Sequence, residues 1–298
     1  MDQCLTERFM FLDDFLPEER SVAMRADIDA HFADPQNHKP ETHYVWNYWH
    51  IPGSYTYLKT VPERVIAREK VELFVQALRT WAAVNLGFGH VTWPFLSMYV
   101  PGCAQGVHND SVNGRLGYVF SLTRNLRKTI GGETMVFQDR DLFRSNLDRP
   151  AAGSGIYDLV EPRFNRLTLF DDRVPHAVQR VDGSMDPLEG RFVLHGHISE
   201  AGVVAQGALH PDVIREPVAA ALAELRSGAA TGVHGPLVYC IELGEDGAVQ
   251  RMRPLLDRLV SPTNADLDPV RTAIAERIGS LRFPSAPTPT RANIPLIF

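Results

Sequence analysis

The sequence predicts a mainly β chain with α elements: a double-stranded β-helix (jelly-roll) with N-terminal buttressing helices, then a small C-terminal α+β domain. Three observations carry that expectation. Helical punctuation comes first, over residues 17–32 and 62–86. Residues 91–198 then break into short apolar or alternating runs separated by Gly, Pro, Asn and Asp, the texture of an antiparallel sandwich or barrel. Past residues 203–210 the order becomes helix, hairpin, helix and strand, a compact α+β unit. The expected domains are 1–205 and 206–298.

Residues 17–32 read as a helix with Pro17 in the first turn and a partial apolar stripe of Val22, Ile28 and Phe32. The stronger helix is 62–86. Pro62 suits its first position and Gly87 its stop, and Val71, Phe74, Val75, Leu78 and Trp81 recur on one face. Between the two, residues 43–59 (HYVWNYWHIPGSYTYLK) are dense in aromatics with polar tips and turn at Pro52-Gly53-Ser54. Such side chains combine apolar area with orientable donors, which makes Trp46 and Tyr48 candidate substrate contacts on a pocket wall. An aromatic sheet edge packed on the long helix is the other reading. The strand-like runs that follow are FLSMYV, RLGYVFSL, TMVFQ, RFNRLTLFD and GRFVLHGHI, with TIGGE as a turn. In the last part a helix is expected from Pro217 to about Ser227, stopped by Gly228. A hairpin about Gly-Glu-Asp-Gly, a helix at 269–279 with Val270, Ile274 and Ile278 on one face, and a terminal strand complete it.

Composition narrows the function classes. With 298 residues, 44% hydrophobic and 22% charged, the chain is long enough for one large core or two modest ones. The net charge is −6 and no basic stripe appears, which argues against nucleic acid and anionic membrane as partners. Cys4, Cys103 and Cys240 form no C-x-x-C, so neither a disulfide framework nor a zinc ribbon is expected, and free thiols suit a reducing cytoplasm. The N-terminal stretch carries acids and no basic leader, unlike a signal peptide. No apolar run reaches the roughly 18 residues of a membrane span.

The chemistry concentrates in the strand-rich segment. His108-Asn109-Asp110 is an H-x-D, and on a strand residues two apart point to one face. Alone the pair is weak: in a chain with 11 His it also reads as a surface turn. His176 follows in DDRVPHAV and can complete a facial 2-His-1-carboxylate set, which binds Fe(II) and leaves three positions open. Asp171-Asp172 reads as a turn before it. Arg191 opens the run GRFVLHGHI and can fork onto a carboxylate. Arg191, Val193, His195 and His197 share one strand face, a poor hydrophobic core and a sensible polar cavity wall. There is no G-x-S-x-G, P-loop, H-E-x-x-H or G-x-G-x-x-G, and Gly153-Ser154-Gly155 reads as a loop.

Taken in order, Tyr99-x-x-Gly102, His108-x-Asp110, Gly131-Gly132-Glu133-Thr134, Leu169-Phe170, His176-x-Val178 and Gly190-Arg191 resemble the Fe(II)/2-oxoglutarate-dependent dioxygenases, in particular their prolyl-hydroxylase-like branch. The resemblance covers about residues 91–198. It implies that His108, Asp110 and His176 ligate iron and that Arg191 binds the distal carboxylate of 2-oxoglutarate. Tyr99 matches the tyrosine that hydrogen-bonds the cosubstrate, and Tyr118 is a further candidate; strand aromatics of the core are the other reading. His195 and His197 are candidate substrate or supporting contacts, or else satisfied interior histidines. Arg115, Arg163, Arg166 and Arg180 read first as solvated strand-end charges. The implied reaction consumes O2 and 2-oxoglutarate, releases succinate and CO2, and hydroxylates an unactivated C–H. Asp110 favours hydroxylation, since family halogenases lack this carboxylate. An amino acid or specialised metabolite is the first expected substrate and a peptidyl residue the second.

GEDGAVQRMR, DPVRTAIAERIGSLRFPSAP and IPLIF are similar to the C-terminal domain of TonB-like proteins. That implies a module recognising a partner or mediating a homodimer through a sheet edge, with a passive cap as the other reading. Two further function classes stay open at this point. One is a non-catalytic metal-binding barrel recruiting partners through the C-terminal domain. The other is a cupin-like metal isomerase or ring-cleaving dioxygenase, which would have no use for Arg191.

Overall fold

A computed structural model describes residues 4–33, 41, 44–138, 156–263 and 265–298. His43 and Gly153-Ser154-Gly155 lie outside the described residues. The chain divides into two compact units, one of Arg8–Leu78 with Val91–Ile198, the other of Met1–Glu7, Arg79–His90 and Ser199–Phe298.

The first unit carries β1 (Phe9–Leu12), α1 (Glu18–His31), β2 (Asn47–Ile51), β3 (Tyr55–Thr60) and most of α2 (Arg68–Asn85). After β4 (His90–Val91) come β5 (Phe95–Tyr99), β6 (Ala104–His108), β7 (Leu116–Ser121), β8 (Thr129–Ile130), β9 (Thr134–Phe137) and β10 (Tyr157–Val160). β11 (Leu167–Asp171), β12 (His176–Val178), β13 (Asp182–Gly183) and β14 (Arg191–Ser199) complete it. Eight of these strands make two four-strand antiparallel layers, β11-β7-β14-β5 and β6-β12-β9-β10, joined through β3. Apart from β9 and β10, neighbours in each layer are non-consecutive strands, as in a jelly-roll. The fold is mainly β, a large curled antiparallel sheet consistent with a jelly-roll barrel, plus smaller sheets.

The helices pack as their spacing dictates, with local departures. On α2, Val71, Phe74, Val75 and Leu78 are buried, and Phe74 stacks on Phe120 of β7 at 4.7 Å. Trp81 stays half-buried and Ala82 is buried instead. Residues 62–64 form a separate 3-10 turn, because Val65 leaves the helical region at φ −129° and α2 starts only at Arg68. On α1, Val22 is 50% exposed. The buried face is Ser21, Met24, Arg25 and Ile28. Arg25 turns inward because its guanidinium donates to the carbonyls of Leu122 and Leu188, at 2.9 and 2.7 Å.

The second unit contains β15 (Val204–Gln206), α3 (Pro211–Ser227), β16 (Pro236–Leu243), β17 (Val249–Asp257), α4 (Asp268–Gly279) and β18 (Thr290–Ile297). The strands form one antiparallel sheet in the order β15-β18-β16-β17. Ile214, Val218 and Leu222 of α3 join Val270, Ile274 and Ile278 of α4 in one core cluster with the sheet. α3 begins earlier than Pro217 suggests. Pro211 occupies its first turn, His210 caps it, and Pro217 lies inside, where it supplies no N–H to the ladder. Among the described residues no helix is long and apolar enough to cross a membrane.

Candidate active site

β6 and β12 are neighbours, and His108 stands opposite His176 in their register. Their rings lie 4.3 Å apart. Asp110 arrives by a different route from the strand alternation expected of an H-x-D, since β6 ends at His108. Its backbone N–H donates to the Asp172 carbonyl at 2.8 Å, and its own carbonyl accepts from Asn113 N–H at 2.8 Å. This loop closure turns the carboxylate back, so that Oδ2 lies 3.4 Å from His176 Nε2 and 4.0 Å from His108 Nε2. One ligand atom from each of the three residues falls within 4.8 Å of the others, a group able to hold a metal ion.

The ring orientation is fixed from behind. His108 Nδ1 faces the Gly106 carbonyl at 2.8 Å and His176 Nδ1 the Val174 carbonyl at 3.0 Å. A carbonyl only accepts, so Nδ1 carries the proton and both Nε2 lone pairs converge with Asp110. Burial lowers the pKa of His108, helped by the neighbouring His176, which favours the neutral ligand form. Burial pushes Asp110 up, but hydrogen bonding and charge from His176 once it is an imidazolium, then charge from His108 and His197, outweigh it and bring the carboxyl down to about 2.

Across the same cavity stands Arg191, the first residue of β14, opposite Tyr99 of β5. The arginine is 2% exposed. Its Nη2 donates to Thr134 Oγ1 at 3.3 Å, and its guanidinium carbon lies 4.7 Å from the centre of the Tyr99 ring. Its Nε and Nη1 find no hydrogen-bond partner. A buried cation with two idle donors is costly unless an anion joins it. Tyr99 is pushed up to about 12 by burial, against the Arg191 charge, so its hydroxyl stays a neutral donor.

His195 and His197 line the cavity on the same strand. His195 Nε2 meets Ser97 Oγ at 2.7 Å. Burial, then the charges of Arg191 and Lys59, bring it down to about 3, a neutral imidazole. His197 Nδ1 meets Asp172 Oδ2 at 3.0 Å. Burial would lower the His197 pKa, but that bond and the Asp172 charge raise it. Burial pushes Asp172 up to about 6 against the same partner.

Other sequence candidates go elsewhere. Tyr118 borders the cavity, yet its hydroxyl donates to the Thr92 carbonyl at 2.8 Å and is already committed. Trp46 does not line the cavity. It stacks on Phe32 at 6.0 Å and donates to His31 Nε2 at 3.2 Å, because the hairpin leaves it beside the end of α1. Tyr48 is 65% exposed, stacked on His50 along an edge strand. From that segment it is Tyr55 that reaches the site, its ring 5.1 Å from His108. Arg163, Arg166 and Arg180 are paired with Glu161, Asp13 and Asp182. The sequence reading missed Gln105, Thr134 and Asp172 as cavity or supporting groups. Thr134 was visible at the end of the Gly-Gly-Glu-Thr turn, whereas Asp172 is more than a turn residue because β14 brings His197 onto it.

The donor set therefore suits a divalent metal of the Fe(II) type, by two imidazoles and a carboxylate, and the idle donors of Arg191 suit the carboxylate of a bound acid. No protein-family model matches the sequence, and no curated protein matches it. Solved structures similar to the chain include a prolyl-4-hydroxylase from Pseudomonas putida, 19% identical with a TM-score of 0.47, over 66% of this chain and 95% of that one. A prolyl hydroxylase from Trichoplax adhaerens, in complex with a hypoxia inducible factor oxygen degradation domain peptide fragment, is 15% identical with a TM-score of 0.44, over 64% and 82%. The non-heme alpha-ketoglutarate-dependent epimerase SnoN of nogalamycin biosynthesis is 14% identical with a TM-score of 0.46, over 66% and 80%.

Proposed function

We propose that the chain is an Fe(II)- and 2-oxoglutarate-dependent dioxygenase that hydroxylates an unactivated C–H of an amino acid or specialised metabolite, with succinate and CO2 as coproducts. The observation that carries this reading is the pairing, in one cavity, of the His108-Asp110-His176 group with a buried Arg191 whose Nε and Nη1 are unpartnered. A metal isomerase or ring-cleaving enzyme has no use for that arginine, and a binding-only barrel has no use for both halves.

Bound iron and 2-oxoglutarate together supply the O2-dependent oxidation of a C–H bond. The chain's residues do the rest. His108, Asp110 and His176 would hold the metal. Arg191 grips the distal carboxylate of the oxoacid, with Thr134 fixing the guanidinium and Tyr99 beneath it. Phe170, Val178 and Val193 line the cavity with apolar surface that keeps bulk water away from the reacting centre. His195 and His197 offer substrate contacts.

A peptidyl substrate is the second reading. It is favoured by β2, exposed along its whole length and paired only with β3 among the described residues, an edge that an extended peptide can join. Within the same proposal, residues 1–205 carry the chemistry. The TonB-C-terminal-like residues 206–298 serve a partner or a homodimer through their sheet edge, and the free Cys4, Cys103 and Cys240 suit the cytoplasm.

The test is anaerobic titration of the protein with Fe(II) and then 2-oxoglutarate, following the weak visible charge-transfer band of such complexes. Appearance of the band, followed by O2-dependent succinate release, supports the reading. Iron binding with no band and no succinate sinks it.

A further inference from the structure

Gln105 stands between the two poles of the cavity. Its amide nitrogen lies 3.1 Å from His108 Nε2, and its carbonyl oxygen accepts from the Tyr99 hydroxyl at 3.3 Å. On a regular strand, residues 105 and 108 would face opposite sides. They share the cavity because β6 carries a bulge opposite β12: His108 pairs with His176 and Gln105 with Val178, three steps against two. The bulge thus places one neutral side chain in reach of both the metal-ligand group and the arginine pole.

The hydrogen bonds have a forced direction. His108 Nδ1 is protonated towards the Gly106 carbonyl, so Nε2 is an acceptor and Gln105 donates into it. That is the same lone pair a metal would take. A metal and the Gln105 amide therefore cannot both hold His108 Nε2. Once released, the amide keeps its carbonyl on Tyr99, whose ring lies against Arg191. Its N–H groups then have one unfilled role, donation to an anionic ligand seated between Arg191 and the metal group.

We infer that Gln105 couples the two halves of the site: metal binding displaces its amide from His108, and the freed amide donates to the carboxylate end of a 2-oxo acid. This rests on the dioxygenase reading above and adds a coupling between the metal and oxoacid sites through one side chain. It also gives Tyr99 a role through Gln105, as the hydroxyl that keeps the amide aimed.

The two steps respond to Gln105 with opposite signs. Losing the amide removes a competitor of the metal and a donor to the oxoacid. In Gln105→Leu, metal affinity is expected to rise about fivefold and oxoacid affinity to fall about tenfold, the size of single hydrogen bonds to neutral and charged partners. Gln105→Glu keeps the shape but presents an acceptor and negative charge. Like Gln105→Leu it is expected to tighten the metal and weaken the oxoacid, with the larger loss for the oxoacid.

The experiment is calorimetric titration of the full chain with Mn(II), then of the Mn(II)-loaded protein with 2-oxoglutarate, for wild type and both variants. Tighter Mn(II) with weaker 2-oxoglutarate in folded Gln105→Leu supports the coupling, because general damage to the cavity weakens both; Gln105→Glu serves to show how much added charge alone shifts the two constants. Unchanged constants, or both weakened, overturn it while leaving the dioxygenase reading intact. Wild-type protein that binds Mn(II) but no 2-oxoglutarate removes the reading on which the coupling rests.

Discussion

His197 Nδ1 lies 3.0 Å from Oδ2 of Asp172, a carboxylate whose side chain has no exposed surface. The pair holds protons more tightly folded than unfolded. Asp172 rises from its ordinary 3.8 to about 6, by burial, and His197 is raised above its ordinary 6.5 by Asp172. A group with a raised folded pKa stabilises fully below its unfolded value and loses that stability as pH climbs through the folded one. The window therefore opens above about pH 4, where Asp172 begins to differ, and extends above the ordinary 6.5 of His197, titrating as a pair. This pair's contribution to the thermal midpoint of metal-free protein is expected to fall as pH rises from about 5 to 8, against the opposite contribution of His195 and His108, whose lowered pKa values favour the folded state as pH rises. Asp172→Asn should remove that contribution and leave the slope of midpoint against pH more positive than in wild type, and an unchanged slope in that variant would refute the assignment.

The metal group makes a sharper prediction. Asp110→Asn keeps the loop hydrogen bond to the Asp172 carbonyl, which uses the backbone, but removes the anionic ligand. Mn(II) affinity should drop by at least about 100-fold, more than the loss of a supporting contact costs. His176→Ala should do the same. Succinate release at the wild-type rate in either variant contradicts the ligand assignment.

Arg191 separates stability from function. Its buried, half-satisfied guanidinium costs the empty barrel free energy. Arg191→Met should raise the thermal stability of ligand-free protein by about 1 kcal/mol or more. The same change should weaken 2-oxoglutarate by about 100-fold, since a charge-assisted fork is lost, while Mn(II) binding stays near wild type. Denaturation and calorimetry on one sample measure all three.

The Gly-Gly-Glu-Thr turn is predicted to be intolerant at its first glycine. Gly131 has φ +82°, and a Cβ there would run into the Arg180 carbonyl oxygen. Gly131→Ala should cost more than about 2 kcal/mol, strain and collision together. Gly53, at φ +75° with nothing within 4 Å, provides the contrast. Gly53→Ala should cost about 1 kcal/mol, the conformational share alone. Equal losses in urea denaturation would mean that the close approach to Arg180 does not matter.

Several parts of this molecule were legible as residues. The strand periodicity of 91–198 and the stripe Val71, Phe74, Val75 and Leu78 follow from side-chain spacing, which needs no distant partner. So does the common face of Arg191, Val193, His195 and His197, which all line the cavity. Trp46 and Tyr48 stand away from the cavity lining, because aromatic content says what a wall can be made of, but not which wall. The turn of the β2–β3 hairpin and the end of α1 settle that, and they bring Tyr55 to His108 instead.

By itself the sequence determined the element order, the identity of two imidazoles, a carboxylate and an arginine, and the turn that needs two glycines. These are local choices of backbone freedom, periodicity and donor type. Tertiary structure alone decided that Asp110 turns back from beyond its strand, that Asp172 backs His197 and that a bulge puts Gln105 on the His108 face. Each depends on a hydrogen bond or register set by a strand remote in sequence. No window of residues contains both partners, so no local rule could have read them.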